Sequence, residues 1–162
     1  MAAITPTFAQ KLEATRWGTA IYAALVAGIT FLVLQTLISA LFYGASPWLP
    51  LRMIAAIALG PGVLPDTGFG LGVTLVALLV HFGLSIMTAW ILAPLIERAG
   101  LGKSLLTGAA LGLVIYLVNF YLLTQAFTWF GGLRGPATLV NHLVFGAVMA
   151  WSYQSRRAHG YA

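Results

Sequence analysis

The chain predicts an all-α integral membrane fold: four transmembrane helices in two antiparallel hairpins, with a short interfacial or re-entrant helix between spans one and two. Three observations carry this expectation. Of 162 residues, 60% are apolar and only 7% charged, where a soluble domain carries about 25% charged residues. The eight basic and three acidic residues all fall outside four apolar stretches, 17–43, 71–96, 105–130 and 136–153. Each stretch is close to or above the ~20 helical residues that cross about 30 Å of hydrocarbon. The longest segment between them, 44–70, is too short for a separate soluble domain, so 1–162 reads as one membrane domain.

The elements follow in order. Thr7-Phe-Ala-Gln10 has capping-box spacing, which predicts a helix that starts ahead of the first span. The run 17–43 exceeds the ~7–15 apolar residues of a signal-peptide core and reads as a retained span. Pro47 and Pro50 are start signals and Gly60-Pro61-Gly62 is a stop, framing an apolar segment over 47–59 that carries Arg52. That segment is too short to cross. It is expected to lie in the interface with Arg52 toward water, a re-entrant dip being the alternative. Pro65-Asp66 and glycines 68, 70 and 72 then mark a loop. Pro94 sits in the last turn of the second span, and Ser104 is the expected N-cap of the third. The short connector 131–135 ties spans three and four into a tight hairpin, with Pro136 in the first turn of the fourth.

Charge sets the expected orientation. Lys11, Arg16, Arg98, Lys103, Arg156 and Arg157 fall on one side and only Arg52 and Arg134 on the other. By the positive-inside rule both termini are expected in the cytoplasm and 44–70 outside. Trp17, Trp90 and Trp151 then mark the cytoplasmic boundary and Trp48 and Trp129 the outer one, since an indole is apolar with one polar N–H. The basic residues are scattered among connectors, which gives no nucleic-acid footprint. With no cysteine, disulfides, thiolate metal sites and cysteine nucleophiles are excluded. Phosphate loops, nucleophile elbows and HExxH are absent, so no catalytic residue is assigned.

Polar residues inside hydrocarbon are the ones to question. His81 precedes Trp90 by nine residues and His142 precedes Trp151 by nine, each tryptophan following an alanine. At 1.5 Å per residue both histidines lie about 13–14 Å from that boundary, near the bilayer centre. Asn119, ten residues before Trp129 on an antiparallel span, reaches a similar depth, and Asn141 adjoins His142. His81, Asn119, Asn141 and His142 therefore form a candidate midplane cluster. They could bond neighbouring carbonyls, hydroxyls or amides, with Ser85, Thr88, Asn119 and Asn141 as candidate partners. They could instead line a solute path or relay protons. His81 and His142 could also ligate a haem b. No acidic residue lies in the spans, which argues against an ion-coupled pump. Gly108-Ala-Ala-Leu-Gly112 and Gly146 mark helix-packing faces, expected within the monomer, with self-association as the alternative.

Arg52-Met-Ile-Ala-Ala-Ile-Ala-Leu-Gly-Pro-Gly-Val-Leu-Pro65, Leu79-Val-His-Phe-Gly-Leu-Ser85, Tyr116-Leu-Val-Asn-Phe-Tyr121 and Asn141-His-Leu-Val-Phe-Gly146 together resemble a group of small four-span bacterial membrane proteins. Those proteins have no established function and are sometimes labelled sodium:proline symporter-like. The resemblance extends over about 18–153 and picks out Arg52, His81, Asn119 and His142. It implies the architecture and a bacterial inner-membrane location. It implies no activity, because a secondary transporter of that class has many more helices and a broken-helix ion site. The leading functional expectation is a non-catalytic accessory or assembly subunit, in contact with lipid and with other membrane subunits or copies of itself. A small oligomeric channel built on the His/Asn level comes second. A bis-histidine haem carrier comes third; no cofactor is otherwise expected.

Overall fold

A computed structural model describes residues 7, 15–66 and 68–159. The Thr7 to Gln10 helix start lies largely outside them. Every regular element among the described residues is helical. Helix α1 is Trp17–Tyr43, α2 Leu49–Leu59, α3 Leu71–Ile96, α4 Leu101–Leu117 and α5 Pro136–Ala158. Three helical stretches are long and apolar enough to cross a membrane: Trp17–Tyr43, Leu71–Ile96 and Leu101–Gln125. With 23 residues, α5 is about 34 Å long at 1.5 Å per residue. It is less apolar because it carries Asn141, His142, Gln154, Arg156 and Arg157.

Its place in the bundle explains that composition. Helix α5 is central, packed mainly against α4 and α1, while α3 packs on α1 and touches α5, and α2 packs on α3. Ten of its residues are buried, including Thr138, Asn141, His142, Ser152 and Gln154. Its polar groups therefore meet neighbouring helices rather than hydrocarbon. The outer helices show the reverse: Leu41, Leu79 and Leu106 are about three-quarters exposed, an apolar surface suited to lipid and unsuited to water.

Small residues set the helix spacing. Ala20, Ala23, Ala24 and Ala27 of α1 are fully buried against Ala89, Leu92 and Ala93 of α3 and Met149 and Ala150 of α5. Gly108 and Gly112 of α4 meet the backbone of Gly146 and His142 of α5 so closely that a Cβ at any of the three glycines would overlap a carbonyl. The 108–146 and 112–142 pairings make α4 and α5 antiparallel. Trp17 against Trp90, with ring centroids 6.4 Å apart, does the same for α1 and α3. Helix α1 stops at Gly44, whose φ of 58° is the left-handed conformation that glycine adopts without steric cost.

Two buried polar knots close the ends. Where α1 starts and α5 stops, Tyr153 donates to Glu97, Arg157 lies 3.6 Å from the same carboxylate and the Arg16 N–H donates to Tyr153 at 3.1 Å. Gln154 there donates to the Ile96 carbonyl at 2.7 Å and to Ser104 at 2.8 Å. At the other end Arg52 does not face water. It is 4% exposed and donates to the carbonyls of Val63 and Gly68 and, at 2.7 Å, to Asp66. The loop after α2 supplies enough acceptors to cover the guanidinium, so the arginine serves as the staple of that loop.

The third stretch departs from the expected single helix over 105–130. It starts earlier, with Gly100 at the N-cap, and Ser104 bonds back to the Gly100 carbonyl at 3.1 Å from inside the helix. Its far end is a π turn, Val118–Leu122, followed by 3-10 turns at Leu123–Gln125 and Thr128–Leu133. The π turn frees a carbonyl, and Arg134 donates to it at Phe120 while stacking 4.5 Å over the Tyr121 ring. The fourth stretch runs past 153 to Ala158, carrying Arg156 and Arg157 into its last turn, where cations suit the helix dipole.

Candidate functional site

A cavity of about 590 Å³ lies between α3 and α4. These helices are consecutive in sequence, yet they touch little: α3 packs mainly on α1 and α2, and α4 mainly on α5. Phe31 and Gln35 of α1 and His142 and Phe145 of α5 form its floor, and Met53 and Ile54 of α2 close one end. Leu84 and Met87 of α3 and Val114 of α4 also line it, and each is at least half exposed on the outer surface. The cavity thus opens sideways, toward the apolar surroundings of the bundle. No charged residue is among its lining residues.

The structure brings three of the four expected midplane residues to this cavity. His81 and His142 meet around one ring: Phe31 stacks on His81 with centroids 5.6 Å apart and meets His142 edge-on at 4.9 Å. Asn119 reaches the same cavity from the π turn of the third stretch. Asn141 does not line it. Its amide nitrogen sits in the α1/α5 seam, bonded to the Phe31 carbonyl at 3.2 Å and to Gln35 Oε1 at 3.0 Å.

Both imidazoles are held by backbone carbonyls, and not by Ser85, Thr88, Asn119 or Asn141. His81 donates from Nε2 to Gly28 at 3.0 Å, and His142 donates from Nδ1 to Thr138 at 2.8 Å. Thr88 bonds its own helix at Leu84 instead. A carbonyl only accepts, so these contacts fix which ring nitrogen carries hydrogen. In a neutral ring the other nitrogen is then an acceptor: Nδ1 of His81 and Nε2 of His142. Each histidine is also placed by a glycine. Gly28 lets α3 approach α1 closely enough for its carbonyl to meet His81, and a Cβ there would stand 2.8 Å from the Phe82 ring. Gly112 lets α4 rest on the backbone of His142. Phe31, Tyr116 and Phe120 surround the His142 ring at centroid distances of 4.9–5.7 Å.

Gln35 is the residue that depth and motif do not select. It is 4% exposed, lines the cavity, and its Nε2 has no hydrogen-bond partner. A buried donor left unpaired costs about 1–3 kcal/mol. Its signal in the sequence is faint but present: it is the one amide in 17–43, and Gly28, Phe31 and Gln35 share a helix face at i, i+3 and i+7. Compared with protein-family models, curated proteins and solved structures, the chain matches none.

Chemically, the cavity offers an apolar, aromatic-rich wall with a few polar atoms gathered at its floor. Such a combination binds small molecules: pockets of about 300–1,000 Å³, mostly apolar with a few placed polar groups, are the usual dimensions of a ligand site.

Proposed function

We propose that this is a four-span protein of the bacterial inner membrane, with both termini cytoplasmic, that holds a small lipophilic molecule between α3 and α4. It performs no chemistry of its own and serves as an accessory subunit that retains or presents this molecule within a larger membrane assembly. The observation that carries the reading is the sideways-opening apolar cavity with His81, His142, Asn119 and Gln35 on its wall. A molecule dissolved in the bilayer could enter between Met87 and Val114 without crossing water. An ion path is less well supported by the same lining, which is dominated by Phe, Leu, Ile and Val side chains. The fourth crossing is supported by the length of α5 and by the burial of Thr138, Asn141, His142, Ser152 and Gln154 inside the bundle.

The binding reading is tested by purifying the protein in lipid nanodiscs, extracting it with organic solvent and identifying bound molecules by mass spectrometry. A lipophilic species enriched over the nanodisc lipid, and lost when Met87→Trp and Val114→Trp narrow the mouth, is the expected result. Equal extracts from both proteins and from empty discs would remove the reading. Orientation is tested separately. The chain has no cysteine, so Ser46→Cys and Ser155→Cys can be labelled singly with an impermeant maleimide on intact cells. Labelling at 46 and protection at 155 is expected. Co-purification of larger membrane proteins at fixed stoichiometry tests the accessory role.

A further inference from the structure

We propose that the cavity selects a neutral amphiphile whose head group carries a hydroxyl, the hydroxyl sitting between Gln35 and the histidines. This rests on the reading of the cavity as a ligand site and specifies the ligand's chemistry. Three observations lead to it. First, Gln35 lines the cavity, and its buried Nε2 has no hydrogen-bond partner among the described residues. Second, His81 and His142 have committed their N–H groups to the Gly28 and Thr138 carbonyls, which leaves each neutral ring an acceptor nitrogen. Third, the lining holds no Lys, Arg, Asp or Glu.

A hydroxyl is the small group that answers the Gln35 donor and one of the two ring acceptors at once, because it accepts and donates through one oxygen. A carbonyl or ether would satisfy Gln35 and leave the histidines without a donor. The third observation excludes charged heads, since an unpaired ion in an apolar cavity is strongly disfavoured. Carboxylates, phosphates and ammonium groups are therefore rejected, and with them intact phospholipids. The apolar wall takes the body of the molecule, and the rings of Phe31, Phe120, Phe130 and Phe145 suit a flat or unsaturated one. Two sources share this chemistry, a long-chain alcohol and an alkyl hydroquinone.

The test uses the full chain in nanodiscs with photoreactive diazirine probes of one chain length. Five heads are compared: primary alcohol, hydroquinone, methyl ether, carboxylate and a bare alkyl terminus. Cross-linked peptides are mapped by mass spectrometry. The expected result is labelling within α3 and α4 by the alcohol or the hydroquinone at roughly tenfold the methyl-ether level, about the upper worth of one net hydrogen bond. The stronger of the two tells the sources apart. Two substitutions keep the bond to the backbone carbonyl and change the acceptor. His142→Asn keeps a donor near the position of Nδ1 and removes the Nε2 acceptor; His81→Gln keeps a donor near Nε2 and removes the Nδ1 acceptor. At least one of them is expected to remove the alcohol preference, read as the alcohol-to-methyl-ether labelling ratio within that variant; an undiminished ratio in both would overturn the assignment of a histidine as the hydroxyl's acceptor. Equal labelling by the alcohol, methyl ether and carboxylate heads would overturn the hydroxyl proposal and leave the binding site standing. No labelling of cavity residues by any probe would overturn both.

Discussion

Replacing Gly112 with alanine places one methyl group where α4 rests on α5. Built on the existing backbone, it would meet the His142 carbonyl carbon at 2.8 Å and the oxygen closer still, with the Leu143 Cα at 3.3 Å. Non-bonded carbons rest about 3.5–4.0 Å apart, so the helices must separate by something on the order of 1 Å. Overpacking of a well-filled interface costs about 1–3 kcal/mol. The upper end applies here, because the obstacle is backbone that no rotamer change can move. Gly83→Ala on α3 is the control, since nothing lies within 4 Å of its added methyl; its effect should stay within about 0.5 kcal/mol. Unfolding in mixed dodecylmaltoside/SDS micelles, followed by far-ultraviolet circular dichroism, measures both. Because the obstructing carbonyl is that of His142, Gly112→Ala should also weaken ligand retention. If Gly112→Ala unfolds together with Gly83→Ala, the close α4/α5 contact is wrong, and with it the placement of His142.

Four further outcomes follow from the packing. Arg52→Leu should destabilise by roughly 2–3 kcal/mol, the worth of a hydrogen bond to a charged group, and speed proteolysis within 60–70; an unchanged cleavage rate would show that Arg52 does not hold the loop. Tyr153→Phe removes the bond to Glu97 and the acceptor for Arg16 and should cost about 1.5–3 kcal/mol in the same micelle titration. Thr138→Val and Ser152→Ala remove buried hydroxyls that have no partner, so both should be neutral or slightly stabilising; a loss above about 1 kcal/mol would reveal a bond that the structure lacks. Protein purified from cells supplied with haem precursor should show no Soret band, because the Phe31 ring packs against both imidazoles; a bis-histidine spectrum would revive the haem reading.

The first two apolar stretches and their bounds, 17–43 and 71–96, were legible because each helix in hydrocarbon must satisfy its own backbone, and side-chain polarity records that directly; the third and fourth differ in their ends. The matched nine-residue spacing from histidine to tryptophan put His81 and His142 at a similar depth, and both rings pack on Phe31. Depth along a helix is a one-dimensional quantity, and sequence spacing measures it. Which way a side chain points around the helix is not. Hence Asn141, adjacent to His142 and at the same depth, turns into the α1/α5 seam, whereas Asn119 reaches the cavity through a π turn that no local signal announces. Arg52 shows the same limit, since its burial depends on carbonyls contributed from 63 and 68.

The sequence by itself determined that this chain is helical, apolar enough for a membrane and basic on one set of connectors, because those properties add residue by residue. Only the tertiary structure decided that α5 is the central helix, that Phe31 packs against both histidines, that Gln35 Nε2 is left without a partner among the described residues, and that α3 and α4 part to leave a cavity. Those facts depend on which helix lies beside which. That choice is made by small-residue contacts at Gly28, Gly108, Gly112 and Gly146, whose partners lie tens of residues away in the chain.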